Sequence, residues 1–466
     1  MSTPPNNCFL KIPPYWACTT PMAKGRWIGR RVLEVLSTEF RDRSMEYNEY
    51  KIRSGLITLN GQRIGTETIF RAGDRLEVYM HRHETPVTSA PVRILHHDKE
   101  RQFIVVDKPG SLPVHPTGRY SRNTLTSILT DDFGYSPIHT INRLDKLTSG
   151  IMIISLNPDL ASTLADELRA KNRDQGGVKK EYIARCRGLF SSGEITCEEP
   201  LATVNRQSGL VIVHPEGKPA KTVFARQHYD PSTNTSVLLC RPFTGRSHQI
   251  RVHLQYLGFP IANDTLYCDP RVWGPSLGKG GVVDASPSSN ERLDEFSGTT
   301  EDAERIRLWS PFSLSDDLVG VIWRTHRVMD EVKGWSRQRD YIFRDKPLID
   351  PGTLDLPPLP PHPHNIQKRK STSAGQPPER LSNTSPDAVS PASDTIPTVY
   401  AETHPHPRWG DDPGPYCPEC YLPLYADPRP ERLFIYLHAL RYITSLGTFE
   451  TDMPWWAAED WQPERA

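Results

Sequence analysis

The chain has 466 residues, which is enough for two or three folded units. Only 36% of its residues are apolar and 44 are prolines, so we expect part of the chain to stay unpacked. Its formal net charge is zero, which argues against simple electrostatic coating of nucleic acid. The eight cysteines show no disulfide framework, and the longest apolar run, residues 150–156, is too short to span a bilayer.

Charge is distributed unevenly along the chain. Residues 1–83 carry 13 Lys/Arg against 8 Asp/Glu, whereas residues 401–466 carry 5 against 11. A basic front is compatible with a nucleic-acid partner, although solvated surface faces produce similar imbalances. The first 25 residues lack the long apolar core of a signal peptide. We expect a monomer without a membrane partner, located in the cytoplasm or the nucleus, with mitochondria not excluded.

The front of the chain predicts a small module over residues 24–85, preceded by an N-terminal extension over residues 1–23. Apolar residues between Trp27 and Phe40 recur at helical spacing, and a second helix is predicted to end near Gly55. The segment LITLNG then indicates a strand and an Asn-Gly turn, with DRLEVY as its partner strand. Basic residues on the exposed side of this module are Arg30, Arg31 and Arg53.

The middle of the chain alternates strand and helix patterns, which predicts an α+β domain over residues 90–345. Strands are expected from Phe103 and over residues 150–156, 180–186 and 237–240, with a helix capped by Asn157. Residues 275–304 resemble a disordered insertion, and the Pro- and Ser-rich residues 350–400 a flexible linker. Residues 401–466 regain aromatic content and are expected to pack on the domain.

Three segments carry candidate chemistry. INRLDKLTSG (141–150) holds an Arg and an Asp in a loop before a strand, a pair that by itself would usually form a surface ion pair. KEYIARCRG (180–188) places a Tyr on a strand, where it would by itself pack in the core. TGRSHQIRVHLQYLGFPIAND (244–264) is the most specific of the three.

These segments resemble the motifs HRLDxxTSG, KxYxAxVxG and TGRxHQIRVHxxxxGxPIxxD of the RluA family of pseudouridine synthases. The chain departs from the pattern at Asn142, Ser247 and Asn263. The front module resembles the S4-type RNA-binding module. HRHETPV (81–87) and LHALRY (437–442) resemble the eukaryotic tRNA branch, which is related to the pseudouridine synthase half of fungal riboflavin-pathway deaminase fusions. The implied fold has a mixed, mainly antiparallel central sheet with flanking helices.

The resemblance implies a role for each residue of these motifs. Asp145 would be the catalytic carboxylate, Arg246 its ion-pair partner and Tyr182 the platform for the target base. Arg143 would fill the space that the base leaves. RNA contacts and loop support are implied for His248, Gln249 and Arg251, and RNA contacts for Arg30, Arg31 and Arg53.

The predicted reaction is therefore the isomerisation of uridine to pseudouridine in RNA. The resemblance to the eukaryotic tRNA branch implies that the uridine lies in the anticodon stem-loop of tRNA, at a position-32 type of site. The reaction needs an ionised Asp145 and no cofactor, because no redox step or external energy is involved. The carboxylate could act as a nucleophile, as an electrostatic partner or as a base.

Two other classes of function remain open. A non-catalytic RNA-binding protein could keep the fold as an RNA chaperone, although binding alone does not need the carboxylate. A zinc-dependent nucleobase deaminase is suggested faintly by PYCPEC (415–420) and by His214 and Glu216, which lie about 200 residues away. Cys417 and Cys420 could also hold a structural zinc with His404, His406 or His438, as an alternative to two free thiols. We assign no metal.

Overall fold

The computed structural model describes residues 9–40, 45–169, 179–205, 208–282, 299–308, 310–333, 417 and 427–463. The chain forms two compact units. The large unit consists of residues 1–12, 84–333 and 427–466, and the small unit of residues 13–83 and 334–426. The predicted linker over residues 350–400 lies outside the described residues.

The helices and strands of the described residues mix along the chain as the sequence predicts. The helices are α1 (Val32–Glu39), α2 (Met45–Arg53), α3 (Leu125–Asp131), α4 (Pro158–Arg169), α5 (Gln249–Tyr256), α6 (Pro270–Trp273), α7 (Thr300–Leu308) and α8 (Asp316–Lys333). The strands are β1 (Phe9–Leu10), β2 (Tyr15–Thr19), β3 (Ile57–Leu59), β4 (Gln62–Arg63), β5 (Leu76–Arg82), β6 (Val87–Thr88), β7 (Arg93–Asp98), β8 (Phe103–Lys108), β9 (His139–Thr140), β10 (Ser149–Ser155), β11 (Lys179–Arg187), β12 (Ile195–Cys197), β13 (Leu201–Asn205), β14 (Leu210–Val213), β15 (Thr222–Asp230), β16 (Thr235–Pro242), β17 (Leu437–Thr444) and β18 (Gly447–Glu450).

The small unit contains a four-stranded antiparallel sheet in the order β2-β5-β3-β4, with α1 and α2. Asn60 and Gly61 both have positive φ, which is what the two-residue turn between β3 and β4 requires. Its core includes Trp27, Ile57 and Phe70, all almost completely buried. Because β2 pairs with β5, the predicted boundary at residue 24 is corrected to residue 13. The resemblance of this unit to the S4 module stays a prediction.

The large unit contains a ten-stranded mixed sheet. Eight strands follow in the order β12-β15-β16-β11-β17-β10-β8-β7, while β18 pairs with β17 and β9 with β10. Most neighbours are antiparallel, but β17 runs parallel to β10. This confirms the predicted α+β class with a mainly antiparallel central sheet. The predicted domain boundary at residue 345 is corrected, because β17 comes from the C-terminal part of the chain and lies in the middle of the sheet.

Strands β8 and β10 form the centre of the core because their apolar runs are buried along nearly their full length. Helix α4 begins as predicted, since the Asn157 side-chain oxygen accepts hydrogen bonds from the backbone N–H groups of Asp159 and Leu160 at 2.8 and 3.3 Å. The predicted insertion over residues 275–304 is corrected at both ends: residues 275–282 form turns, and α7 begins at Thr300. Residues 283–298 lie outside the described part.

A buried cation fixes the C-terminal segment to the sheet. Arg185 on β11 is fully buried, and its guanidinium donates to the Trp456 and Ala458 carbonyl oxygens at 2.7 and 3.0 Å. It also lies over the Trp461 ring, 4.2 Å from the ring centroid. In the parts of the chain that the structure describes, no helix has the length and apolar character to cross a membrane.

Replacing Gly150 with Ala tests the pairing of β10 with β17. Gly150 has φ +114°, and a Cβ there would clash with the Ala439 backbone, lying 2.6 Å from its nitrogen. We expect Gly150→Ala to lower the free energy of unfolding by about 2–4 kcal/mol in denaturant titrations. Gly193→Ala is the control, because Gly193 has ordinary φ and open space around it, and a change below about 0.5 kcal/mol is expected. Equal effects of the two variants would contradict the close approach.

Candidate active site

A pocket of about 380 Å³ lies between the loop before β10, strand β11 and the turn before α5. This volume is within the range of ligand sites. The pocket brings together every candidate residue that the sequence places in the large unit, namely Arg143, Asp145, Tyr182, Arg246, His248, Gln249 and Arg251. The three motifs, separated by up to about 100 residues in sequence, therefore form one site.

Arg251 links two carboxylates at the base of this pocket. Its Nε and Nη2 donate to the two carboxylate oxygens of Asp264 at 2.6 and 3.0 Å, a bidentate pair that is almost fully buried. Its Nη1 donates to Asp145 Oδ2 at 3.2 Å. The Asp145 side chain is 25% exposed, so the same carboxylate that Arg251 holds also faces the pocket.

The ion-pair partner of Asp145 is therefore Arg251, and the prediction that Arg246 pairs with it is wrong. The Arg246 side chain is exposed in the turn before α5, where its Nε donates to the Pro219 carbonyl at 3.0 Å. Arg251 is the better placed of the two because the buried Asp264 carboxylate requires a cation and orients it. The sequence contains a signal for the Arg251–Asp264 pair, since both of these residues lie in the third motif.

The charges around Asp145 keep it ionised. Burial alone raises the pKa of the Asp145 carboxyl, but in the acid range where this carboxyl titrates the positive charges of protonated His248 and of Arg251 outweigh burial, and the resulting pKa is below the usual value. Burial and the nearby Arg251 lower the pKa of His248 to about 4. His248 is therefore neutral at pH 7, where Arg251 and Arg143 are the positive charges that act on the Asp145 carboxylate.

His248 is held in an uncommon backbone conformation at the start of α5. Its φ is 54°, in the left-handed region, and its Nδ1 lies 2.8 Å from the Tyr267 hydroxyl. Its Nε2 is 3.7 Å from Asp145 Oδ2, longer than a hydrogen bond. The ring therefore forms a side of the pocket next to the carboxylate, with a tautomer that the Tyr267 contact constrains.

Gln249 organises the turn that precedes α5. Its side-chain oxygen accepts from the Thr244 hydroxyl at 2.7 Å and from the Arg246 backbone N–H at 3.0 Å, while its amide nitrogen donates to the Lys221 carbonyl at 3.0 Å. Gln249 and Arg251 are each about 5% exposed. Their polar groups are bonded inside the protein, which suits the predicted support of the loop, and contact of these two residues with the RNA backbone stays a prediction.

The aromatic side of the pocket depends on the C-terminal strand. Tyr182 on β11 is 9% exposed, and its hydroxyl lies 3.2 Å from that of Tyr442 on β17. The Asn142 side chain donates to the same Tyr442 hydroxyl at 3.0 Å. Asn142, which departs from the family pattern, thus helps to position Tyr182. Sequence reasoning missed the role of Tyr442, which lies 260 residues from Tyr182.

Lys108 is a further buried group that sequence reasoning missed. Its ammonium donates to the carbonyls of Pro109 and Leu112, each at 2.9 Å, and lies 3.4 Å from the carbonyl of Lys146, the residue after Asp145. Burial lowers the pKa of Lys108 to about 7, although the negative charge of Asp145 raises it in part. Its position supports the loop that carries Asp145. In the sequence, Lys108 could have been singled out because it is a charged residue directly at the end of an apolar strand, in the segment VVDKPG.

The remaining predicted RNA-contacting arginines lie in the small unit. All three form ion pairs with glutamates at the protein surface. The pairs are Arg30 with Glu34 and Glu39, Arg31 with Glu67, and Arg53 with Glu49. Exposed ion pairs of this kind contribute at most about 1 kcal/mol each, so an RNA phosphate can replace the glutamate as partner.

Matched substitutions of the two arginines test which one holds the Asp145 carboxylate. We expect the Asp145 titration, followed by carboxyl carbon NMR with Asp145→Asn for assignment, to have its midpoint below the ordinary value of 3.8. Arg251→Gln should move the midpoint upward, because the nearest positive charge is removed. Arg246→Gln should leave it in place. A midpoint that moves further in Arg246→Gln than in Arg251→Gln would instead show that Arg246 is the ion-pair partner of Asp145.

Comparison with known proteins identifies the family of this chain. A model of the family described as RNA pseudouridylate synthase matches residues 102–256. The human pseudouridylate synthase RPUSD2 is 34% identical over 455 residues, which cover 97% of this chain and 74% of the human protein. Two proteins of Saccharomyces cerevisiae also match: the mitochondrial tRNA pseudouridine(32) synthase at 43% identity, covering 59% of this chain and 58% of the yeast protein, and the tRNA pseudouridine(31) synthase at 31%, covering 56% and 72%. The chain therefore belongs to the RNA pseudouridylate synthase family.

Proposed function

We propose that the pocket converts uridine to pseudouridine in RNA, with Asp145 as the catalytic carboxylate. The observation that carries this proposal is the ionised, partly exposed Asp145 carboxylate that Arg251 holds in a pocket that Tyr182 also lines. An ion pair that served stability alone would not need access to a pocket.

The chemistry is an isomerisation, so its atoms balance without a cofactor. The bond from ribose C1′ to N1 of uracil breaks, the base turns, and C1′ bonds to C5. The proton that leaves C5 is matched by one that N1 gains. Asp145 acts at the sugar as a nucleophile, as an electrostatic partner to positive charge at C1′, or as a base, and each of these roles requires the charged form.

Arg143 and Tyr182 fit the needs of a base that leaves its stack. Extracting the base costs a few kcal/mol, and stacking on an aromatic ring returns about 1–3 kcal/mol. Tyr182 lines the pocket with its hydroxyl tied to Tyr442, so its ring can receive the uracil. Arg143 is exposed at the pocket and can occupy the space in the RNA. His248 and the exposed Arg246 are placed to contact the nucleotide or its phosphates.

We propose tRNA as the substrate, with the uridine at position 32 of the anticodon stem-loop as the target. The yeast relative named for position 32 is 43% identical to this chain, against 31% for the relative named for position 31. The first of these names includes a mitochondrial location. For this chain, cytoplasm or nucleus stays a prediction beside mitochondria, as does the monomeric state. Arg30, Arg31 and Arg53 would hold the RNA from the small unit.

Asp145→Asn tests the catalytic assignment. The amide keeps the size of the side chain but cannot carry the negative charge, so we expect pseudouridine formation on unmodified tRNA to fall by at least about 1,000-fold. Binding of the same tRNA should stay within about threefold. Asp131→Asn is the matched control, because Asp131 is exposed at the end of α3, and its activity should be unchanged. Full product formation by Asp145→Asn would leave the RNA chaperone as the better account.

Mapping of the product tests the substrate assignment. An anticodon stem-loop transcript with uridines at positions 31 and 32 should gain pseudouridine at position 32, the site for which the more similar yeast relative is named. Changing uridine 32 to cytidine should abolish the product. The same change at position 31 is the control and should preserve it. Product at position 31 or outside the loop would contradict the proposed target.

A further inference from the structure

One side-chain cluster in the small unit has no part in the proposed reaction. His81 and His83 come from the segment HRH at the end of β5, and Cys417 comes from the far C-terminal part of the small unit. His81 Nδ1 lies 3.1 Å from His83 Nε2, and Cys417 Sγ lies 3.5 Å from His81 Nδ1. One ligand atom from each residue can be chosen so that all three lie within 4.8 Å of one another.

The fold explains why the two imidazoles face the same point. His81 lies on β5 and His83 is the first residue after its end, and the two rings meet edge to face with their centroids 4.8 Å apart. Strand β2 pairs alongside, with Trp16 opposite His81 and its ring 4.9 Å from the His81 ring. His81 and Cys417 are buried and His83 is partly buried. The cluster is therefore shielded from water on most sides.

Two of the three separations between these atoms match those between zinc ligands. Zinc binds imidazole nitrogen at about 2.0–2.1 Å and thiolate sulfur at about 2.3 Å, with tetrahedral angles. Those values place two nitrogen ligands about 3.3 Å apart and a nitrogen and a sulfur ligand about 3.6 Å apart. The separations of 3.1 and 3.5 Å are close to both, and imidazole with thiolate is a set that favours zinc.

We propose that His81, His83 and Cys417 bind a structural Zn²⁺ ion. The sequence supports this assignment, because Cys417 and Cys420 have the C-x2-C spacing of zinc-binding pairs, although Cys420 lies outside the described residues. This proposal replaces the expectation of no metal. It also replaces the histidines that the sequence suggested: both ring nitrogens of His438 already contact the Ser149 and Thr451 hydroxyls at 2.9 and 2.6 Å, and His404 and His406 lie outside the described part.

A bound zinc would join parts of the small unit that are distant in sequence. His81 and Cys417 are 336 residues apart, so the ion would close a long loop of chain. Zinc that binds only the folded state stabilises that state. The ion would thus tie Cys417 to the sheet of the small unit, and the isomerisation itself requires no metal.

Metal analysis of the purified full chain tests the site. We expect close to one zinc per wild-type chain by mass spectrometry, and loss of most of it in Cys417→Ser and in His83→Ala. Cys18→Ser is the matched control, because Cys18 is a partly buried free cysteine on β2 of the same unit, and it should retain the zinc. Equal zinc content in Cys417→Ser and wild type would overturn the proposal.

Cobalt substitution of the wild-type chain keeps the proposal testable if the variants fail to fold. Removal of metal with a chelator should lower the melting temperature, and re-addition of Zn²⁺ should restore it. Co²⁺ alone, added to the metal-free chain, should give the visible absorption of tetrahedral cobalt and a thiolate-to-cobalt charge-transfer band. A chain that is purified without zinc and shows no such band with Co²⁺ would refute the site.

Discussion

The buried guanidinium of Arg251 is the constraint on which the site depends. Asp264 holds two of its nitrogens in a bidentate pair, and this leaves Nη1 to point at Asp145. The attraction of two carboxylates offsets the cost of removing the Arg251 guanidinium from water, and the guanidinium in turn keeps the partly exposed Asp145 carboxylate charged. Burial alone raises the pKa of the Asp145 carboxyl, so loss of Arg251 would bias towards protonation the group that we propose acts as an anion.

The sheet brings this pair and the Tyr182 ring to one pocket, because strands from distant parts of the sequence are neighbours in it. Strand β17, from the C-terminal segment, lies between β10, which follows the Asp145 loop, and β11, which carries Tyr182. Its Tyr442 hydroxyl contacts both Tyr182 and Asn142. The C-terminal segment is therefore part of the active-site wall, and Arg185 secures it from the other side of the sheet.

Local features of the fold and the site could be predicted from sequence, and the long-range ones could not. The turn at Asn60 and Gly61, the cap at Asn157 and the three motifs are short segments whose residues carry their own signal. Which arginine meets Asp145 was not predictable, because it depends on the buried partner Asp264 and on the direction in which α5 leaves the turn. The sequence pattern around Cys417 indicates nearby histidines as zinc ligands, whereas His81 and His83 reach Cys417 only through the fold. The place of β17 likewise follows from pairing between distant segments.

The central claim is that a uridine enters the pocket with its sugar against an ionised Asp145. A crystal structure of the Asp145→Asn chain bound to an anticodon stem-loop with uridine at position 32, as in the substrate of the yeast relative, tests it most directly. The account predicts that the uracil lies against Tyr182 and that the residue 145 side chain is about 3–3.5 Å from C1′. A bound RNA whose bases all stay stacked, with the pocket empty, would contradict it.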